Sequence, residues 1–516
     1  MSAYTSKKSS YANAKLFKES FYSGTTPNLG YVFIGKNLPY ANESSPDTIT
    51  DTVHDEKSFW DNMYAAKRIT GYDVELVAPR INWTTDTKYC QYDDTVTANT
   101  LLSTNTVGPM YVITTDYNVY LCLSNNSSAN STVQPTGQNF SANGNISTSD
   151  GYIWKYLYNI RASNKFLSNV WIPAPSSTNQ LDYNMSNVVS VDGEIASVAV
   201  TNTGSGYIHS TIYVSPFVTG CTILSVSNTT NIAANMAITG IGITTGTYIS
   251  TFDVVYKTIT LSTAATANGG GGGANNLYVA TRAYFDGDGT SAVGSVSLTG
   301  NSVSSITITS YGKNYSRCNV YLYGTGTNAN ARVILPPKFG HGTNPAKEIG
   351  ATNVMIASKI GEVDSTEGGL ISSNTTFRQY GILLNPYKYG DTAAETVANA
   401  NTVISQTTNI SLIAGPSYNL DEFVYQGSSS SSTTFSGYVN DQTTNVVKLT
   451  NVKGSLSVGA PLYGLTTNPT GRIVVSETNP ELQPYTGDII YAQNVTKTQR
   501  TDGQAAVSYT HLRAHE

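Results

Sequence analysis

Charge is what this chain has least of. Asp, Glu, Lys and Arg make up 12% of its 516 residues, about half the share of an ordinary soluble domain. The 29 basic residues are outnumbered by 34 acidic ones, for a net charge of −5. No basic cluster interleaves with aromatic residues, so the chain lacks the electrostatic footprint of a nucleic-acid binder. Cysteine is as sparse: Cys90, Cys122, Cys221 and Cys318 stand far apart and form no Cys-x-x-Cys pair. That spacing argues against zinc and reads as free thiols in a protein made in the cytoplasm. No apolar run approaches the roughly 20 residues that span a bilayer, so no membrane insertion is expected. Lys7 and Lys8 precede no apolar segment, and Met1–Ser10 is therefore no secretory signal. Without one, the many Asn-x-Ser/Thr triplets imply no glycan.

Tyrosine and glycine are plentiful, with 36 Tyr against 13 Phe and 44 Gly. Such a composition favours short strands and tight turns under a coat of hydroxyls and amides. Hydrophobic residues, 39% of the total, are spread along the chain, which argues against disorder. The fold class read from this is mainly β. One stretch organises the rest: Asp150-Gly151 opens a turn, and Tyr152 to Ile160 then alternates with period two. Tyr152, Trp154, Tyr156, Tyr158 and Ile160 share one face, opposite Ile153, Lys155, Leu157 and Asn159. Aromatic residues bury about 150–250 Å² each, so this strand is expected at the centre of a core.

Along the chain, a polar arm precedes the strand Tyr31–Ile34. Asp55 to Arg68 carries Phe59, Trp60, Met63 and Tyr64 at helical spacing. Val74, Leu76 and Ala78 alternate with Asp73 and Glu75, predicting a half-buried strand that ends at Pro79-Arg80. A hairpin is expected from Tyr111 to Leu123, turned at Asp116-Tyr117-Asn118, before a polar loop from Ser124 to Ser149. From about Asn187 the texture changes. Ile195 to Tyr207 resembles Val303 to Tyr315 at a constant offset, 312 − 204 = 108 and 315 − 207 = 108, and Ile212 matches Val320. A strand, Gly-Tyr turn and strand thus occurs twice, with a small β domain nested between the copies. Gly269–Gly273 reads as a flexible tip or tether. Asp391 to Ser405 reads as a helix, followed by a second β insertion and a last strand at Asp488–Ala492.

Motifs that would carry chemistry are missing. There is no Gly-x-Ser-x-Gly, His-Glu-x-x-His or P-loop. Two of five histidines lie in the final ten residues, leaving His54, His209 and His341, and Gly340-His341-Gly342 reads as a tight turn with a structural or surface role. Asp286-Gly287-Asp288-Gly289 has the opening of a calcium loop, but Ser297 stands at the twelfth position where a bidentate Glu is required, so it reads as a hairpin turn. No catalytic, cofactor-binding or metal-binding residue is assigned. A pair of glycosidase carboxylates among 34 acids stays open as an alternative.

Several segments together resemble the baseplate wedge subunit numbered eight in the tail of T-even-type contractile-tailed phages. They are Tyr31 to Lys36, Phe59-Trp60 to Met63, Ala78-Pro79-Arg80 before Trp83, Val119 to Leu123, Asp150 to Leu157, Phe377 to Pro386 and Gly487 to Asn494, in the family's order. The match covers 25–190, 336–390 and 478–505, and the segments at 191–335 and 391–477 look like the insertions of marine cyanobacterial myophage versions. The resemblance implies a β-sandwich core with a few helices in loops, made discontinuously from 1–190 with 336–390 and 478–505. It further implies inserted small β domains, a non-enzymatic structural role in the virion, homodimers, and other wedge proteins as partners. A receptor-binding fibre or adhesin remains an alternative, as does a β-rich polysaccharide depolymerase. Residues 507–516, with two His, an Arg and a terminal Glu, depart from the family's pattern and are expected to be a non-native tail that makes few contacts.

Overall fold

The computed structural model describes residues 7–21, 28–95, 109–126, 128–139, 144–176, 183–184, 190–358, 375–392, 403–499 and 512–513. Strands account for 47% of it and helices for 7%, so the fold is mainly β. The chain divides into two compact units, Met1–Val77 with Thr352–Glu516, and Ala78–Ala351. Segments 25–190 and 336–390, which the resemblance groups into one core, are distributed over both units.

In the first unit an antiparallel sheet runs Val403–Ser405, Met63–Ile69, Gly30–Gly35, Thr376–Leu384, Asp488–Gln499. Gly30–Gly35 is buried at every position. Tyr31 and Phe33 pack with Phe59, Trp60, Met63 and Leu383, whereas Ile34 joins Tyr64, Phe377 and Val403. The helix expected over 55–68 is shorter, Val53–Asn62. Thr52 caps it by accepting from the Asp55 N–H at 3.2 Å, and Asp55 and Glu56 complement the N-terminal dipole. Asn62 ends it by donating back to the Ser58 carbonyl at 2.8 Å. From Met63 the chain is extended and pairs with Gly30–Gly35, because a buried backbone can satisfy its polar groups there.

Three further expectations are corrected in this unit. The polar arm includes a helix, Lys7–Glu19, whose buried Tyr11, Ala14 and Lys18 recur at helical spacing. Lys18 forms an ion pair with Glu75, so the strand Val74–Pro79 is not half-buried: Glu75 is 5% exposed. In the predicted helix 391–405, residues 393–402 lie outside the described set and Val403–Ser405 is a strand. The second insertion is a closed six-stranded barrel: Thr408–Leu412, Val446–Gly454, Ser432–Gln442, Phe423–Ser429, Pro461–Gly464 and Arg472–Thr478. Its interior holds Ile410, Val424, Phe435, Val439, Leu449, Leu462 and Val474. Of 507–516 only Leu512–Arg513 is described, and it pairs with Asn353–Val354 rather than leaving that edge bare.

In the second unit Tyr152–Ile160 lies inside the sheet, between Asn118–Asn125 and Asn145–Ser147. Tyr152 and Trp154 stack at 5.4 Å, Tyr89 meets Trp154 edge-on at 5.5 Å, and Tyr120 meets Tyr156 at 5.8 Å. Buried hydroxyls find carbonyls: Tyr120 donates to Gly137 and Tyr158 to Pro173, at 2.7 and 3.0 Å. On the second face Lys155 and Leu157 are buried, and Ile153 and Asn159 are half-buried. Asp150 organises the adjoining loop by accepting from Ser131, Thr132 and Val133.

The duplication at offset 108 is a structural one. Gly204 and Gly312 both sit in the left-handed region, at φ 59° and 64°, and Tyr207 and Tyr315 enter the same core cluster. The copies exchange equivalent bonds: the Tyr315 N–H donates to the Gly193 carbonyl and the Tyr207 N–H to the Asn301 carbonyl, each at 3.0 Å, and 301 − 193 = 108. Nested between them, a module with its own core contains Leu224, Met236, Ile249, Ile259 and Val279, and it also takes Ile212, whose match Val320 packs in the other cluster, so the likeness of the copies stops after the Gly-Tyr turn. The glycine run is folded onto this module rather than projecting as a tether. Gly269 exchanges bonds with Phe217, and Gly271 donates to Val214. A Cβ at Gly270 would stand 2.3 Å from the Ser215 carbonyl oxygen.

Candidate functional site

Four titratable side chains meet inside the second unit. Lys155 comes from the central strand, Glu194 from the entry to the duplicated module, His341 from the Gly340–Gly342 turn, and Glu348 from the short helix Pro345–Glu348. The turn forms because Phe339, Gly340 and Gly342 all take positive φ. Asn344 caps the helix that follows, accepting from the Lys347 N–H at 3.0 Å. Glu348 is thereby aimed back at the turn. Its Oε2 lies 2.9 Å from His341 Nδ1, and its Oε1 accepts from the Gly342 N–H at 2.7 Å. The ring of Tyr92 stands edge-on to His341 at 4.6 Å.

Burial pushes the Lys155 amine below its ordinary range, against the pull of Glu194 and Glu348. It pushes the Glu194 carboxyl up, against Lys155 and His341. Both Glu194 oxygens and His341 Nε2 lack a hydrogen-bond partner among the described residues. Lysine, histidine and glutamate are the tools of acid–base catalysis, but none of these four residues is more than 7% exposed. All four side chains are closed off from solvent and lie beside one another, where partners offset part of the cost of burial. Above them opens a groove of about 500 Å³, lined by Tyr92, Asn125, Ser197, Ser304 and Ile306 among others. Asp93 on its rim is committed to Arg332 at 2.6 Å and to Thr95. The groove is a polar, mostly uncharged surface.

The remaining candidates do not join this cluster. His341 is fully buried, so of the two roles expected for it the structural one holds. His54 is exposed beside Asp55, and His209 is lowered by burial with Nε2 unpartnered among the described residues. Asp286-Gly287-Asp288-Gly289 lies at the hairpin between Arg282–Gly287 and Thr290–Thr299. Asp288 is held at about 2 by Ser316 Oγ and the Arg317 and Ser316 N–H groups, so it is spent on a turn. Burial raises the thiols of Cys90 and Cys122, and raises Cys318 to about 11 with help from Asp286 and Asp288. Among the described residues no three His, Cys, Asp or Glu are grouped to hold a metal, and no helix is long and apolar enough to cross a membrane. Sequence reasoning missed Lys155, Glu194 and Glu348. The signal was a lysine inside an aromatic strand, where only a buried anion can accompany it.

No family model and no curated protein matches this chain.

Proposed function

We propose that the protein is a structural component of a phage contractile-tail baseplate wedge, acting through protein–protein assembly as a homodimer beside other wedge proteins. One observation carries this reading. Three of the segments that resemble the wedge subunit, at Tyr31–Lys36, Phe377–Pro386 and Gly487–Asn494, lie far apart in the chain (377 − 36 = 341 and 487 − 386 = 101) yet pair as neighbours in one sheet. A shared core built from distant segments is what a discontinuous family fold with insertions requires. The barrel and the duplicated module are then additions to that core. An antibody raised against the purified protein should label contractile-tail particles at the baseplate, and light scattering at tens of micromolar should give a dimer. Label confined to distal fibres would replace this reading with an adhesin, and unlabelled particles would overturn it.

A further inference from the structure

Leu277–Ala280 and Arg282–Gly287 follow one another almost without interruption in the inserted part of the second unit. Their inward residues serve two cores: Leu277 and Val279 enter that of the nested module, and Ala283 and Phe285 that of the duplicated one. The outer side of Arg282–Gly287 carries Arg282, Tyr284 and Asp286, with Tyr284 39% exposed, while Tyr278, 44% exposed, lies on the preceding strand in another sheet. Neighbouring strands widen this face with more aromatic rings. Tyr321 stands opposite Tyr284, and Tyr323 opposite Arg282. Tyr278 is flanked by Thr211 and Thr239 on its two partner strands.

Arg282 is the centre of this face. Its guanidinium lies over the Tyr248 ring at 4.0 Å and the Tyr284 ring at 5.0 Å. Stacking of this kind fixes the planar fork without consuming its N–H donors. The side chain is only half-buried, and it makes no ion pair or hydrogen bond among the described residues. Elsewhere in the unit the arrangement differs: Arg332 is bound to Asp93 and Asp94. A clamped, unpaired guanidinium between exposed rings is built to receive an anion that arrives with a flat, partly apolar body.

We infer that this face binds an acidic glycan, with the carboxylate of a uronic-acid-type sugar on Arg282 and sugar rings on Tyr284 and Tyr321. The C–H face of a pyranose matches an exposed aromatic ring, and sugar hydroxyls match tyrosine, threonine and asparagine. The inference is independent of the baseplate reading, since it concerns the insertion alone.

The test uses the full chain and a panel of hexasaccharides, namely galacturonate, mannuronate and guluronate against the neutral cello-, malto- and chito-oligomers, by calorimetric titration. At least one acidic hexamer should bind about tenfold tighter than every neutral one, and more weakly at high salt. Arg282→Ala should lower that affinity about tenfold and Arg282→Lys by less, because lysine keeps the charge but loses the fork. Tyr284→Ala and Tyr321→Ala should each weaken it severalfold, whereas Tyr256→Ala, at an exposed tyrosine off this face, should not. Equal binding of acidic and neutral hexamers, no saturable binding to any acid, or an affinity untouched by Arg282→Ala in a protein with an unchanged melting curve would overturn it. So would a change of oligomeric mass in Arg282→Ala, which would make the face a protein contact.

Discussion

Five hydrogen bonds converge on the Glu422 carboxylate, from the Thr466 N–H and hydroxyl, the Thr467 N–H and hydroxyl, and the Asn419 N–H. Burial alone would raise this carboxyl, but the donors outweigh it and hold it at about 2. A folded-state value below the unfolded one means that stability is fully present above pH ~4.5 and is lost as pH falls toward ~2. Glu422→Gln should cost about 1–3 kcal/mol at neutral pH and flatten that acid limb. Urea unfolding at pH 7 and pH 3 checks both, and an unchanged acid limb would contradict the assignment. At the buried cluster the effect has another form. Lys155→Met leaves Glu194 and Glu348 without their cation and should cost about 3–5 kcal/mol, part of which adding Glu194→Gln should restore. A double-mutant cycle on these two residues measures the coupling, and strict additivity would contradict it.

At the scale of elements, the repeat was legible because glycine and tyrosine recur at fixed places with a specific backbone duty. At Gly312 a Cβ would lie 2.6 Å from the Thr290 carbonyl oxygen, and at Gly204 2.4 Å from that of Thr327. Gly204→Ala and Gly312→Ala should therefore each destabilise by about 1–3 kcal/mol, through left-handed strain plus displaced backbone. Thermal melting of the two variants checks this, and a neutral Gly312→Ala would separate the copies' roles. The helix at Val53–Asn62 was legible within two residues at its start, expected at Asp55, but not at its end. Phe59, Trp60 and Met63 belong to one cluster, and a helix followed by a strand meets that condition as well as a longer helix does. Periodicity records which side chains are buried together, and two backbone geometries shared the answer.

Across the first unit, the barrel and the sheet are joined by polar side chains. Asn37 donates to Asp421 at 2.7 Å and accepts from the Thr450 hydroxyl at 3.0 Å, while Arg378 donates to Glu43 at 2.7 Å and to the Asn37 carbonyl. Burial raises the Asp421 carboxyl and the Asn37 bond opposes that rise. Asn37→Ala should cost about 1–3 kcal/mol and let the barrel melt as a separate calorimetric transition, where the parent shows it coupled to the sheet. A single sharp transition in the variant would count against that link. The mainly β class, the central Tyr152–Ile160 strand and the duplicated module follow from the sequence by itself, because alternation and turn residues are local properties of the chain. Where the units divide, that Lys155 is buried beside Glu194 and His341, that the glycine run folds back, and that Arg282 lies stacked and unpaired were decided by tertiary structure. Each depends on what stands opposite a residue, and partners brought from up to hundreds of positions away leave no periodic mark.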